Sequence, residues 1–155
     1  MNKEYEFDCE INESITINKK KSIVYQALYN IKEWPKYLPH VTKIDVLYND
    51  GKYQEFMMDV ISSEDASILQ VRSIRNCTSS NIDFFQPQPP HFLKHHSGNW
   101  KFKEVDKNQT HVVTTHKWNL KEINKGDVYA QHVKSILRDH ACLALKTWKD
   151  VLESM

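Results

Sequence analysis

Apolar and polar residues alternate along much of the chain, and this period of two predicts a series of β-strands. The second and third strands are joined by Asn49-Asp50-Gly51, a sequence typical of a hairpin turn. Polar turns and a proline-rich stretch separate most of the others. The predicted strands are Glu10–Asn18, Thr42–Tyr48, Tyr53–Ile61, Ile68–Asn76, Asn81–Gln86, His95–Val105 and Gln109–Leu120.

Two stretches have the longer period of an amphipathic helix. The first covers Ile23–Ile31, with Ser22 expected as its N-cap, and it should end before Trp34-Pro35 because proline disfavours helical geometry in the preceding residue. The second begins near Asp127 and is much longer. This order of elements predicts an α+β fold, in which a curved antiparallel sheet packs against one long helix and can enclose a pocket.

Composition fits one folded domain that covers residues 1–155. Hydrophobic residues at 40% and charged residues at 26% exclude wholesale disorder. The formal net charge of +1 argues against a nucleic-acid partner, and no apolar run reaches the roughly 20 residues of a membrane span. Residues 1–6 lack the hydrophobic region of a signal peptide, so we expect a cytoplasmic protein. The three cysteines are widely spaced and are expected to be reduced thiols.

Strand alternation also selects side chains that point into the predicted interior. His96, Trp100 and Phe102 lie on the face opposite Lys101 and Lys103. Because lysines favour solvent, the histidine and the two aromatic residues are expected to face inward. Inward aromatic rings are either ordinary core residues or the walls of a cavity that stacks on a planar ligand.

The following strand places a second histidine on the inner face. Val112, Thr114, His116 and Trp118 share that face. An inward His116, with the ordinary histidine pKa of about 6.5, would suit proton exchange with an enol or hydroxyl. The alternative is a core histidine that is hydrogen-bonded to a neighbouring group.

Arg75 shares its strand face with Leu69, Val71 and Ser73. A buried guanidinium is costly unless it is paired, so an inward Arg75 should have an Asp or Glu partner or bind an anionic ligand. It would then stabilise an enolate or carbonyl oxygen. The alternative is an exposed arginine over a sheet edge.

The residues give less support to a metal site, a serine nucleophile or a phosphate-binding loop. His91, His95 and His96 could suggest zinc, but no carboxylate or cysteine completes the set, and adjacent residues of a strand point to opposite faces. The chain has no Gly-x-Ser-x-Gly motif and, with three glycines, no glycine-rich phosphate loop. We therefore expect neither a metal nor another cofactor.

Several segments together resemble the START-like (SRPBCC, Bet v 1-type) domains. They are Ile15–Asn18, the short helix after it, and Glu33–Pro39. Gly98–Phe102, Thr110–Leu120 and the long last helix are similar to the polyketide aromatase/cyclase branch of that superfamily. The resemblance implies a helix-grip fold, in which a curved seven-stranded antiparallel sheet, two short helices after the first strand and a long C-terminal helix enclose a cavity.

The resemblance also implies roles for particular residues. Arg75 and His116 match polar family positions and are the expected catalytic residues. Val41 replaces a family tyrosine, and Leu69 and Val71 replace two cavity tryptophans, which indicates a different substrate shape. The residues expected to bind substrate are Trp34, Phe56, Met58, His96, Trp100 and Trp118.

The activity that this resemblance implies is aldol cyclisation and dehydration of a poly-β-ketone to an aromatic ring. The chain would receive that substrate from an acyl carrier protein, in the company of other polyketide synthase subunits. Lys19-Lys20-Lys21 is either a solvated corner or a docking site for the acidic carrier. A non-catalytic carrier of a quinone or lipid is the alternative function, and it would use the same cavity.

Overall fold

Seven antiparallel strands form one sheet in the computed structural model, which describes residues 7–121 and 126–155. The order across the sheet is β1-β7-β6-β5-β4-β3-β2, so all strands after the first lie beside their neighbours in sequence. This confirms the predicted sheet; residues 1–6, used above to exclude a signal peptide, lie outside the described residues. The strands are β1 (Cys9–Ile17), β2 (Val41–Asn49), β3 (Tyr53–Ile61), β4 (Ile68–Thr78), β5 (Asn81–Gln88), β6 (Leu93–Asp106) and β7 (Gln109–Leu120).

The first helix begins and ends two residues earlier than predicted. α1 covers Lys21–Tyr29, and Lys20 holds the N-cap position without a side-chain hydrogen bond. Ser22 as the cap was therefore wrong, because the backbone amides of Ile23 and Val24 already bond to the carbonyl of Lys20. Ile31 lies instead in a 3₁₀ turn, Ile31–Glu33.

A further short helix, α2 (Trp34–Tyr37), begins at the Trp34-Pro35 pair before which the first helix was predicted to end. Pro35 lies in the first turn of α2, where its missing N–H leaves no helical hydrogen bond unmade. Trp34 adopts helical geometry even though proline follows it. Its buried indole donates to the Leu28 carbonyl at 3.2 Å, and this tertiary contact outweighs the local preference. The two short helices implied by the family resemblance are thus present.

Proline was also expected to end a strand, and it does not. β5 continues through Pro87 to Gln88, beyond the predicted end at Gln86. The pairing with β4 is irregular between Arg72 and Ile74, and such a bulge tolerates a residue that has no N–H to donate.

The long helix α3 (Gly126–Glu153) lies across the sheet and buries one face. Two ties hold it to β1: Lys149 Nζ donates to the Thr16 carbonyl at 2.6 Å, and Arg138 Nε donates to Glu13 Oε1 at 2.9 Å. None of the helices in the described part of the chain is both long and apolar enough to cross a membrane. The buried residues of α3 are Val133, Ile136, Leu137, Ala141, Ala144, Leu145, Trp148 and Leu152.

Gly98 in β6 allows two rings to meet across the sheet. It pairs with Phe84 on one side and with His116 on the other, and the centroids of those two rings lie 5.3 Å apart. A Cβ atom at Gly98 would lie 1.9 Å from the Thr115 carbonyl oxygen and 2.8 Å from Phe84 Cζ. The lack of a side chain is therefore a requirement of the strand pairing itself.

We expect Gly98→Ala to destabilise the protein by about 3 kcal/mol or more, because the added methyl group overlaps backbone that cannot move without breaking the sheet. Urea unfolding measures the free energy of unfolding. Ser97→Ala, at the neighbouring position of the same strand, is the control. A Gly98→Ala protein as stable as its parent would show that β6 and β7 separate easily at this point.

Candidate functional site

A cavity lies between the inner face of the sheet and the helices, and it has two adjoining chambers. The inner chamber has a volume of about 100 Å³ and includes Phe56, Ser73, Arg75 and Phe84 in its wall. The outer chamber, of about 120 Å³, has a mainly apolar wall. Both chambers share Trp34, Met58, Gln86, His96, Trp100 and His116.

Arg75 forms part of the wall of the inner chamber and is 2% exposed. Its Nε and Nη2 atoms donate to Gln54 Oε1 at 2.9 and 2.7 Å, and Nη2 also donates to the carbonyls of Leu28 and Tyr29, both at 2.9 Å. Those carbonyls end helix α1, where the helix dipole is negative. The guanidinium thus caps the C-terminal end of α1.

The inward position of Arg75 was predicted correctly. Of the two kinds of partner expected for it, an Asp or Glu side chain or an anionic ligand, the described residues do not supply the first. Among the described residues, Arg75 forms no ion pair with Asp or Glu; neutral oxygens and the rings of Trp34 and Phe56, 5.4 and 5.7 Å from Cζ, surround it instead. Burial lowers the pKa of Arg75 to about 10, so it keeps its charge at neutral pH. Its Nη1 atom is buried and has no hydrogen-bond partner in the described parts of the chain.

A line of hydrogen bonds joins the polar side chains along the cavity wall. Gln86 Nε2 donates to Ser73 Oγ at 3.2 Å, and Gln86 Oε1 lies 2.6 Å from His96 Nδ1. His96 Nε2 lies 3.0 Å from His116 Nδ1, and His116 Nε2 lies 3.2 Å from the Thr114 hydroxyl. The two imidazole rings are stacked, with centroids 5.2 Å apart.

The side-chain amide of Gln86 defines where the protons of this line are. Gln86 Oε1 is a carbonyl oxygen and can only accept, so His96 Nδ1 carries a proton that it donates to Gln86 Oε1. His96 Nε2 is then an acceptor for the Nδ1 proton of His116. His116 consequently presents a lone pair at Nε2. Both imidazoles are neutral in this arrangement.

Burial favours the neutral forms of the cavity histidines. It lowers the pKa of His116 to about 4, with the nearby His140 as a second cause. Burial, followed by the proximity of His116 and His140, lowers the pKa of His96 well below its usual value. The ordinary pKa assumed for His116 from the sequence was therefore wrong, and the His116 imidazole is neutral at neutral pH.

Two more histidines, His40 and His140, line the outer chamber. Burial lowers the pKa of His40 to about 4 and lowers the pKa of His140 as well. His140 Nε2 accepts a hydrogen bond from the backbone amide of Ser63 at 3.0 Å, which ties the β3–β4 loop to α3. These side chains place four imidazoles around one cavity.

Sequence comparison assigns the family. Residues 17–132 match the family described as polyketide cyclase / dehydrase and lipid transport. The chain belongs to this family. A search of curated proteins finds no significant match.

Solved structures share the fold of this polyketide cyclase family member. The ZhuI aromatase/cyclase from Streptomyces sp. R1128 is similar with a TM-score of 0.86 and 17% identity, over 94% of this chain and 93% of that one. The di-domain aromatase/cyclase StfQ of the steffimycin biosynthetic pathway gives 0.82 and 23%, over 94% and 51%. A START superfamily protein from Mycobacterium smegmatis gives 0.76 and 12%, over 94% and 97%. The helix-grip fold is thereby confirmed.

Most of the residues predicted for the site lie together in this polyketide cyclase fold. Those that line the cavity are Trp34, Phe56, Met58, Arg75, His96, Trp100 and His116. Trp118 has the predicted inward orientation but is fully buried in a separate hydrophobic cluster with Ile11, Leu93 and Leu137. Alternation along β7 predicted the face of Trp118 correctly, but it could not show that the sheet interior is solid at this point.

Several polar residues of the site were not singled out from the sequence. Gln54 is hydrogen-bonded to Arg75 and Gln86 to His96, and His40 and His140 line the outer chamber. Gln54 shares strand parity with Phe56 and Met58, so a buried glutamine on an aromatic face was the available signal. The histidines of the outer chamber come from distant segments and had no sequence signal.

The histidine cluster considered for zinc and the lysine run considered for docking both lie outside the cavity, apart from His96. Among residues 7–121 and 126–155, no group of three His, Cys, Asp or Glu side chains is arranged to hold a metal. His91 is exposed on a loop, whereas His96 is buried in the cavity wall. Lys19 Nζ donates to the Met155 carbonyl, and Lys20 is exposed at the start of α1.

We expect the protein to lose stability as pH falls from about 6.5 towards 4, since His40 and His116 stay neutral in the folded state while the unfolded chain binds protons. The free energy of unfolding rises with pH wherever the unfolded state binds more protons. The loss should reach about 2 kcal/mol or more by pH 4.5. Urea unfolding at several pH values measures it.

His116→Gln should make this pH dependence shallower, because glutamine keeps hydrogen-bonding capacity but has no titrating nitrogen. His111→Gln, five residues earlier in β7 and on the opposite face of the sheet, is the matched control for replacing a histidine in this strand. An unchanged pH dependence in His116→Gln would contradict the assignment of His116 as a neutral buried base.

Proposed function

We propose that the protein is an aromatase/cyclase that binds a carrier-tethered poly-β-ketone and promotes its regiospecific aldol cyclisation and dehydration. The buried Nη1 of Arg75 carries this proposal, because it is a charged donor without a partner in the wall of a chamber with aromatic sides. An enolate or carbonyl oxygen supplies the acceptor that this atom lacks. Membership of the polyketide cyclase family supports the same chemistry.

In the proposed reaction, His116 Nε2 accepts the proton from a methylene carbon between two ketones. The electron pair that is left forms an enolate, whose oxygen accepts a hydrogen bond from Arg75 Nη1. The enolate carbon then attacks a second carbonyl carbon of the same chain, forms the ring bond and leaves an alkoxide. His116 returns its proton to that oxygen, and loss of water followed by enolisation gives the aromatic ring.

The line from His116 to Gln86 supports the proton step. When His116 accepts a proton at Nε2, its Nδ1–H still donates to His96, and His96 still donates to Gln86. No hydrogen bond of this line has to reverse direction. The hydroxyl of Thr114 can donate to the Asn99 carbonyl at 3.3 Å while Nε2 is occupied by substrate.

The proposed partner is an acyl carrier protein, together with other polyketide synthase subunits. An acidic carrier would meet positive charge at Lys20, which is exposed, and at its neighbours Lys19 and Lys21. Electrostatic attraction at such a surface acts on the association rate more than on final affinity.

Arg75→Lys tests the proposal with the charge retained. It should lower the amount of correctly cyclised product by about 10²-fold, the scale for loss of one oxyanion donor. Arg75→Ala is less informative, because it also leaves Gln54 and the end of α1 without their donor. The assay is mass spectrometry of products from a reconstituted synthase. Arg72→Lys, on the outer face of β4, is the control, and a folded Arg75→Lys protein with the parent's products would exclude Arg75 from the mechanism.

His116→Gln should lower the single-turnover rate of cyclisation by about 10²-fold or more, because the amide holds the hydrogen bonds but cannot take a proton. The parent's rate should not follow a histidine titration between pH 5.5 and 8, since His116 has its pKa at about 4. Rapid-quench measurements over that pH range give both results. A His116→Gln enzyme as fast as its parent would exclude His116 as the base, while His116 would still be part of the cavity wall.

A non-catalytic carrier of a quinone or lipid is the second candidate. The apolar wall of the outer chamber and the lipid transport named in the family description favour it. Mass spectrometry of the denatured protein separates the two functions. A stoichiometric, chemically unchanged lipid, together with no effect on polyketide products, would overturn the cyclase proposal.

A further inference from the structure

A groove on the protein surface lies between α1, α2 and the C-terminal part of α3. Its volume is about 470 Å³, which exceeds the volume of either chamber of the cavity. Two of its apolar side chains, Ile23 and Met155, are 44% and 65% exposed. A contiguous apolar surface that solvent reaches is typical of an interaction site. The apolar residues that line the groove are Ile23, Ala27, Tyr37, Trp148, Leu152 and Met155.

The groove adjoins the aromatic wall of the cavity. The ring of Tyr37 lies 5.9 Å from the ring of Trp148, and the ring of Trp148 lies 6.0 Å from that of Trp34. Tyr37 and Trp148 line the groove, whereas Trp34 lines both chambers. A partner seated in the groove would therefore contact the outer side of an aromatic cluster whose inner side faces the ligand cavity.

Positive charge is concentrated along the same two helices. Residues 19–37 contain five lysines and one acidic residue, Glu33, and so carry a formal charge of +4. The whole chain carries +1, so all other residues together carry −3. Residues 146–155, which form the opposite wall of the groove, contain two lysines and two acidic residues. The excess of positive charge thus belongs to the α1–α2 side.

The lysines of this segment surround the groove. Lys21, Lys32 and Lys36 each directly precede a residue that lines it. Lys19 Nζ donates to the carbonyl of Met155 at 3.0 Å. Over residues 7–121 and 126–155, none of the five lysines of segment 19–37 forms an ion pair with an acidic side chain. Their charges are therefore not neutralised by acidic side chains of the described chain.

The shape of the apolar surface favours a protein partner over a membrane. Apolar side chains that enter a bilayer form the protruding face of an amphipathic helix. Here the apolar side chains line a concave groove, and the lysines lie around it. This arrangement fits a protruding apolar side chain that is surrounded by carboxylates, because opposite charges meet at the rim while apolar surfaces meet at the centre.

We propose that this groove is the docking site of the acyl carrier protein, which inserts an apolar side chain while its carboxylates face the lysines of α1 and α2. The identity of the partner rests on the proposed function, and the inference adds the surface that binds it. Glu33 lies in the groove wall and has no ion pair among the described residues. Its charge should oppose the binding of an acidic partner.

Surface plasmon resonance with purified holo-acyl carrier protein from the reconstituted synthase tests the charges. Lys20→Glu combined with Lys36→Glu reverses two exposed lysines and should weaken binding by about 10-fold, mainly through the association rate. Lys101→Glu combined with Lys103→Glu changes the net charge equally, on exposed positions of β6, and is the matched control. That control should bind within about twofold of the parent.

Two single variants test the groove itself. Ile23→Ser should weaken carrier binding by about fivefold at low and at high salt, because the lost contact is apolar. Ile68→Ser, at an exposed isoleucine of β4, is its control and should bind as the parent does. Glu33→Gln should strengthen binding by about threefold, since it removes a repulsive charge. A gain in affinity does not arise from a damaged fold.

The inference is overturned if the parent does not bind the carrier, if both charge-reversal pairs weaken binding equally, or if Ile23→Ser and Glu33→Gln bind as the parent does. Two other occupants are tested with the same lysine pair. Loss of binding to vesicles of phosphatidylglycerol and phosphatidylcholine, with carrier binding unchanged, would assign the groove to a membrane and overturn the inference. Loss of a dimer in sedimentation, with carrier binding unchanged, would assign it to a second copy and overturn it as well.

Binding and turnover separate this inference from the proposed function. A parent protein that binds the carrier through the groove but leaves polyketide products unchanged would overturn the cyclase proposal alone. A cyclase whose carrier affinity is unaffected by all of the groove variants would overturn the docking site alone.

Discussion

The cavity is organised around a buried positive charge that no carboxylate of the described chain neutralises. A charge in the protein interior is tolerated only when many dipoles surround it. For Arg75, these are the carbonyls of Leu28 and Tyr29, the side-chain oxygen of Gln54 and the faces of two aromatic rings. The guanidinium therefore fixes the end of α1 relative to strands β3 and β4, and each of these elements limits the position of the others.

The same contacts hold the aromatic wall of the cavity. The Leu28 carbonyl accepts from Arg75 Nη2 and also from the indole nitrogen of Trp34. Trp34 in turn packs edge to face against Trp100 in the sheet and Trp148 in α3, with centroids 6.4 and 6.0 Å apart. One backbone oxygen thereby links the charge, the sheet and the closing helix. This explains why Trp34 remains helical before Pro35, against the local preference.

Alternation predicted which residues face the cavity, because the side-chain period of a strand is strict. It placed His96, Trp100, His116 and Trp118 correctly on the inner face, whereas the inward position of Arg75 followed from the family resemblance. It could not separate cavity from solid core, since that depends on how α3 crosses the sheet. The neutral oxygens around Arg75 and the low pKa of His116 could not be predicted either, because they arise from contacts between residues 20 or more positions apart.

The histidines and the arginine in the cavity wall differ in whether their hydrogen bonds are satisfied by the protein. The ring nitrogens of His96 and His116 are hydrogen-bonded to side chains of the protein, so the histidine line is complete without a ligand. Arg75 Nη1 has no partner. A native structure keeps an unpaired buried charge donor at a cost in stability, and such costs concentrate where a ligand relieves them. The cavity is thus arranged to gain more from an anionic oxygen at Arg75 than from a second cation, which the guanidinium would repel.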